Sequence, residues 1–113
     1  MLNSWYLDKD KNLKNTHNIE LAYKANRMIV KTFLTELRGA LGPPVEISTV
    51  ILTIDHNFFH EKEPIVFETM SFGTENENMI RASRYHEAVR NHYSVSLKLI
   101  LRFHHTGSFN DHE

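Results

Sequence analysis

The sequence predicts an α+β fold, with a small antiparallel sheet of three to four strands, a C-terminal helix packed on one face and a shorter N-terminal helix. Three observations lead to this prediction. Residues 45–55 are rich in β-branched side chains, residues 65–72 form a second apolar run closed by Gly73, and residues 84–102 place apolar side chains at helical spacing.

Composition predicts one ordinary globular domain. The chain has 113 residues, 41% hydrophobic and 24% charged, which is enough apolar material for one modest core. We expect a single domain over residues 1–103 and a polar, flexible tail over residues 104–113. The formal charge of −1 argues against a strongly basic nucleic-acid binder. The absence of cysteine excludes disulfide scaffolds, zinc–thiolate sites and cysteine nucleophiles.

The sequence has neither a membrane span nor a recognisable signal peptide. No stretch approaches the roughly 18 apolar residues that cross a bilayer. The first ten residues lack the basic and apolar regions of a secretory signal. We therefore expect an intracellular protein that does not engage membranes.

The N-terminal residues predict a strand that runs into a turn. Trp5-Tyr6-Leu7 is an aromatic and apolar cluster of the kind found in strands. The segment from Asp8 to Asn12 supplies turn-forming Asp and Asn residues, and Leu13 is the candidate start of a return strand.

The segment between Ile19 and Leu41 fits two interpretations. Its apolar residues recur at helical spacing until Gly42-Pro43-Pro44 stops any helix, which favours one long helix. Residues 28–35, however, are rich in β-branched and aromatic side chains. The second interpretation is therefore a short helix, a break at Asn26-Arg27, and a strand.

Residues 45–55 and 65–72 predict an antiparallel hairpin with a long loop at 55–64. The first strand alternates at its start and is apolar on both faces over residues 50–54, as in an interior strand. Ser83 is a candidate N-cap for the final helix. The candidate core residues on these elements are Val50, Leu52, Ile54, Phe67, Met70, Val89, Val95 and Leu99.

Three blocks of the chain resemble a family of small phage and prophage proteins. Residues 45–58 (VEISTVILTIDHNF) and 64–73 (PIVFETMSFG) are similar to the family's blocks VSTVFLGLDHNF and PPLLFETMVFGG. Residues 81–92 (RASRYHEAVRNH) are similar to its third block, RYSTWEEALAGHE, and Trp5 to Asp10 resemble its usual start. The family brings no assigned catalytic residues, so the resemblance implies a phage or prophage context alone.

The chain also departs from that pattern. The family's Gly-rich linker corresponds to residues 59–63, which contain no glycine, and Asn91 stands where the family has glycine. Residues 36–44 look like an insertion before the strand. In the family, the segment similar to residues 27–33 lies directly before the VSTV strand. The resemblance therefore favours a helix over residues 17–26 followed by a strand over 28–35.

The loop after the first long strand is the main candidate binding surface. Asp55-His56-Asn57 ends the strand, where polar side chains are well placed for ligand contact, and His56 could act as a general base. Turn chemistry favours a plainer interpretation, in which Asp55 and Asn57 bond backbone groups. Phe58 and Phe59 follow between polar residues, and we expect both to be exposed and to contact a partner.

Glu68 is a charged residue within an apolar strand. A buried carboxylate needs a partner, which Arg81 or His92 could supply. The sequence favours a structural ion pair or an edge-facing position over an acid held in a pocket with a raised pKa.

His92 lies on the apolar stripe of the final helix. The favoured interpretation is a core histidine hydrogen-bonded to a neighbouring strand. If His56, Glu68 and His92 converged, they would form a two-histidine, one-carboxylate metal site. No recognised ligand spacing is present, so we expect no metal and no cofactor.

Arginines cluster around the start of the final helix. Arg81, Arg84 and Arg90 could together hold a phosphate group near the helix N-terminus. A solvated, charged helix face is the favoured interpretation.

These residues support a leading hypothesis and two alternatives. The first is a phage-encoded, non-enzymatic accessory protein in the host cytoplasm that binds a host protein or a small ligand. The second is a nucleotide-binding or nucleotide-cleaving protein, for example one that sequesters a host defence signal. The third is a virion or assembly component. Because a small sheet with an open edge readily pairs with a copy of itself, we also expect a homodimer.

Overall fold

A computed structural model describes residues 4–25, 27–34, 45–53, 63–74 and 79–108. Within these ranges the chain forms six strands and two helices. In chain order they are β1 (Ser4–Leu7), β2 (Leu13–Thr16), α1 (Ile19–Lys24), β3 (Met28–Leu34), β4 (Val45–Ile51), β5 (Phe67–Phe72), β6 (Met79–Ala82) and α2 (Tyr85–Thr106).

The main sheet has four antiparallel strands in the order β3-β4-β5-β6, while β1 and β2 form a separate antiparallel hairpin. The predicted α+β class is confirmed, as is the pairing of the two long central strands. Strand β6 was not predicted, because Met79 to Ala82 is too short to stand out beside the polar segment before it.

The β1–β2 turn is held by one aspartate. The Asp8 carboxylate accepts hydrogen bonds from the backbone N–H groups of Asp10 (2.9 Å) and Asn12 (2.9 Å). The bond from Asn12 is the main reason that the pKa of Asp8 lies below its usual value. Lys11 lies in this turn with φ of 65°, a left-handed conformation that a lysine rarely adopts.

The segment after the hairpin divides into helix α1 and strand β3, which confirms the second interpretation over one long helix. Asn18 caps α1 by accepting hydrogen bonds from the N–H groups of Glu20 (3.1 Å) and Leu21 (3.3 Å). Strand β3 then pairs along β4, with an irregularity between Met28 and Val30.

Alternation along the central strands selects the face that α2 covers. In β4 the buried residues are Val45, Ile47, Thr49 and Ile51, and in β5 they are Phe67, Thr69 and Ser71. The prediction placed Val50 and Met70 in the core, and it is wrong because both lie on the opposite face. Leu52 and Val89 are half-buried, and Ile54 lies outside the described residues. Phe67, Val95 and Leu99 are confirmed as core residues.

The core forms two clusters under α2. One joins Val45 and Ile47 to Val95 and Leu99. The other centres on Phe67 and receives the β1–β2 hairpin through Trp5, Leu7 and Leu13. The hairpin thereby packs against the same cluster that contains Ala88 of α2.

Helix α2 differs from its predicted bounds at both ends. Its N-cap is Arg84 and not Ser83, and Arg84 makes no side-chain capping bond. At the other end the helix continues through Thr106, so the first three residues of the predicted tail are helical. Gly107 ends it with φ of 78°, a conformation that glycine adopts without strain. His104 and His105 lie in the last turn, where the helix dipole favours positive charge.

Candidate functional site

Most of the predicted binding loop, residues 55–64, lies outside the described residues. His56, Asn57, Phe58 and Phe59 all lie outside the described residues. Their role in binding therefore stays a prediction.

Glu68 and Arg81 form an ion pair on the sheet face opposite α2. They are direct partners across β5 and β6, and the Arg81 Nε donates to Glu68 Oε2 over 3.2 Å. The Glu68 side chain is 13% exposed and that of Arg81 is 38% exposed. The carboxylate is thus partly buried and has its own cation, so of the two favoured interpretations the structure has the ion pair.

His92 lies at the centre of the interface between α2 and the sheet. Its Nε2 is 2.7 Å from the Thr32 hydroxyl of β3, and its Nδ1 is 2.9 Å from the Thr49 hydroxyl of β4. The Thr49 hydroxyl is in turn 2.6 Å from that of Thr69 on β5. We call these four residues the hydroxyl network.

The hydroxyl network satisfies both ring nitrogens of a neutral histidine. One nitrogen of the neutral ring donates and the other accepts, and a hydroxyl can meet either requirement. The side chain is fully buried, and this burial lowers the pKa of His92 from its ordinary value. His92 is therefore a core residue bonded to the neighbouring strands.

Glu68 and His92 do not converge. Glu68 pairs with Val50 on the outer face of the sheet, whereas His92 contacts Thr49 on the face that α2 covers. The sheet itself separates the two side chains, so a pocket or metal site that uses both is excluded by geometry. Within the described ranges, no group of three His, Asp or Glu side chains is arranged to hold a metal ion.

Arg84 lies at the start of α2 and binds Glu63. Its Nε lies 3.0 Å from Glu63 Oε1, and its Nη2 donates to the same oxygen over 2.7 Å. This hydrogen bonding lowers the pKa of Glu63 and raises the pKa of Arg84. Arg84 is therefore partly neutralised by an acidic neighbour.

A cavity of about 330 Å³ opens beside Arg84, and we call it the α2 N-terminal cavity. Lys11, Ser83 and His86 supply further polar groups to its lining. Arg81 and Arg90 do not line it. The three arginines predicted to share a phosphate are thus not assembled around this cavity.

Four large apolar side chains lie exposed on the side of α2 that faces away from the core. Tyr93 is 57% exposed and Leu97 56%, and Ile100 and Leu101 are close to half exposed. We call these four residues the outward stripe. The outward stripe was not predicted, although its residues are spaced four, three and one apart along the helical sequence.

The outer face of the sheet also carries exposed apolar side chains. Phe33 on β3, Phe72 on β5 and Met79 on β6 are the most exposed of them. Two ion pairs interrupt this surface, Glu68 with Arg81 and Lys31 with Glu46 (3.1 Å). Charged side chains therefore divide the apolar surface of this face.

Comparisons with known protein families, curated proteins and solved structures give no match for this chain. Among the described residues, no helix is long and apolar enough to cross a membrane.

Proposed function

We propose that this chain is a non-enzymatic binding protein that recognises a partner protein through the outward stripe of α2. The observation that carries the proposal is the exposure of four large apolar side chains on one helix whose opposite side already packs the core. Contiguous exposed apolar surface of this kind marks interaction sites in stable domains.

The state of the ionisable groups supports a binding role over catalysis. His92 is held by hydroxyl groups, Glu68 by Arg81 and Arg84 by Glu63. No buried side-chain nitrogen or oxygen in the described part of the chain lacks a hydrogen-bond partner. Catalytic groups more often sit in a cleft with a strongly perturbed pKa and an open approach.

The resemblance to phage and prophage proteins gives this proposal its biological setting. We propose that the partner is a host protein in the host cytoplasm and that loop 55–64 contributes Phe58 and Phe59 to the contact. A few residues, large aromatic ones prominent among them, supply most of the binding energy in such interfaces.

The experiment compares two surfaces by affinity capture from host lysate. The double variant Leu97→Ser, Ile100→Ser should lose the partner that the wild-type chain captures, because both anchors become polar. Phe58→Ala, Phe59→Ala is the matched loop variant and should weaken capture to a lesser extent. Both variants should keep their unfolding midpoint in urea. Undiminished capture by the stripe variant would contradict the proposal.

A second candidate function rests on the α2 N-terminal cavity. Lys11, Arg84 and His86 line one space at a helix start, beside the Glu63 carboxylate that pairs with Arg84, and the basic groups suit an anionic ligand such as a nucleotide. Isothermal titration with ATP tests it, since Arg84→Gln should abolish any binding that the wild-type chain shows. The absence of heat with the wild-type chain would remove this candidate.

We further propose that the chain forms a homodimer, through the outer strands or the outer face of the sheet. Phe33 and Met79 supply apolar area there, on strands that each have one sheet neighbour among the described residues. Light scattering after size exclusion should give twice the mass of one chain, and Phe33→Ser should return it to one. A single-chain mass at all concentrations would exclude the dimer and also weaken the assembly-component alternative.

A further inference from the structure

We infer that the occupant of the outward stripe is an acidic amphipathic helix of the partner protein. The inference rests on the proposed function and adds the shape and the charge of the partner segment to it.

The spacing of exposed residues on α2 points to a helical occupant. His86, Arg90, Tyr93, Leu97, Ile100 and His104 recur at alternating intervals of four and three residues, and all six are exposed. This is the interval of a seam between two helices packed side by side. At about 1.5 Å per residue the line is about 27 Å long, which a helix of similar length can follow.

The apolar part of this line lies at its middle. Tyr93, Leu97 and Ile100 occupy three successive positions, and Leu101 widens the surface beside them. Interfaces of this kind place apolar anchors centrally and leave the polar positions at the rim. A partner helix would thus bury its own apolar side chains against these four residues.

The charge of α2 points to an acidic occupant. Apart from Glu87, which pairs with Arg84, the helix contains no Asp or Glu, whereas Arg90 and Lys98 are exposed cations. Carboxylates flanking the apolar positions of a partner helix would complement these cations. Charge complementarity of this kind selects partners and speeds association.

The same charges disfavour a second copy of α2 as the occupant. Two copies of α2 packed against each other would bring together two helices that each carry the exposed cations Arg90 and Lys98. Neither helix would offer a carboxylate between Ala88 and Thr106 to offset these groups.

A lipid surface fits less well than a helix. Interfacial helices bury a wide apolar face in the acyl boundary. The widest apolar face of α2, which includes Val95 and Leu99, is already packed on the sheet. Four side chains remain, which suits a narrow seam better than insertion into a bilayer.

The experiment measures binding of designed peptides to the full chain by fluorescence anisotropy. The probe is a helical peptide of about 20 residues with Leu at the seam positions and Glu beside them, and the control peptide has Lys in place of Glu. We expect the acidic peptide to bind and the basic peptide to fail. We also expect affinity for the acidic peptide to fall with rising salt.

Variants locate the contact. Leu97→Ser should weaken binding of the acidic peptide by about tenfold or more, because a leucine side chain leaves the interface. Lys98→Glu should weaken it by a smaller factor and reduce its salt dependence. Lys14→Glu makes the same charge change on β2, away from α2, and should leave the affinity unchanged.

Several outcomes would overturn the inference. Equal binding of both peptides would contradict the inference that the occupant is acidic. Binding of neither peptide would contradict the inference that the occupant is a helix. Preferential binding to vesicles of phosphatidylserine and phosphatidylcholine would identify a membrane surface instead. A dimer that Leu97→Ser dissociates would identify a second copy. If the stripe variant loses its host partner while the acidic peptide fails to bind, the inference falls and the proposed function stands.

Discussion

Leu97 and Leu99 are two residues apart on α2 and occupy opposite environments. Leu99 is fully buried between the helix and the sheet, whereas Leu97 is 56% exposed. The same side chain therefore contributes to folding at one position and remains available for contact at the other. The comparison shows that α2 has two apolar sides, and that the core accounts for one of them.

The two sides of the main sheet differ in a related way. The side under α2 combines apolar residues with the hydroxyl network, while the outer side combines apolar residues with ion pairs. Buried hydroxyls and histidine need partners with good geometry, whereas the exposed ion pairs are screened by water. The covered side should therefore respond far more strongly to substitution.

The largest expected effect comes from Leu99→Ala. Truncation of a fully buried leucine should lower the free energy of unfolding by about 2–5 kcal/mol. Leu97→Ala should change it by no more than about 0.5 kcal/mol, because that side chain lies at the surface. Urea unfolding followed by circular dichroism measures both. Equal losses for the two variants would mean that the outward stripe is buried in the folded protein.

A smaller effect is expected from Thr49→Val. The change keeps the shape but removes the hydroxyl that joins His92 to Thr69, which leaves buried polar groups short of a partner. The free energy of unfolding should fall by about 1–3 kcal/mol. Ser48→Ala, one residue away on the outer face, is the control and should have little effect in the same assay.

Acidic pH should destabilise the chain through His92. Burial lowers its pKa in the folded state, so the unfolded state binds more protons once the pH falls below the ordinary value of about 6.5. The contribution of His92 to the free energy of unfolding is complete above that pH. It is lost as the pH falls towards the pKa of the folded state, by at most about 1.4 kcal/mol per pH unit. Urea unfolding between neutral and acidic pH measures the slope, and NMR titration of the ring assigns it. An NMR pKa at or above the ordinary value would refute the assignment.

The smallest effect is expected from Glu68→Gln on the outer face. Its ion pair with Arg81 is partly exposed, so its loss should cost about 0.2–1 kcal/mol, and less at high salt. Thermal unfolding at low and high salt measures this dependence. A loss as large as that of Thr49→Val would show that the outer face is covered in the folded state.

The sequence identifies the elements of the fold better than it identifies their faces. Turn residues mark the β1–β2 hairpin, and β-branched residues mark β3 and β4. At the end of β4, however, Val50 and Ile51 are both apolar, and hydropathy alone favoured Val50 over Thr49. The buried face contains threonine because His92 on α2 requires hydroxyl partners, and that requirement appears only when the helix and the sheet are brought together.

The candidate site was predictable only in part, again because the sequence marks the strands but not which of their faces is buried. A charged residue in an apolar strand indicated a partner for Glu68, and Arg81 is that partner. The separation of Glu68 from His92 depends on which face of β5 the helix covers, and no local pattern in the sequence states this. The outward stripe, in contrast, follows from the spacing of the apolar residues along α2. A second apolar stripe on a helix is, however, easily taken as part of a broad core.

The hydroxyl network affects the register in which β5 pairs with β4. A shift of β5 by one residue along β4 would turn Thr69 to the wrong face, and hydrophobic patterning alone opposes it. A shift by two residues keeps every side chain on its face and sets Thr49 opposite Phe67 or Ser71 instead of Thr69. Either shift would break the bond between the two threonines, and the shift that sets Phe67 opposite Thr49 would offer no hydroxyl in its place. We therefore expect the bond between the two threonines to favour the observed register over the shifted register with Phe67 opposite Thr49.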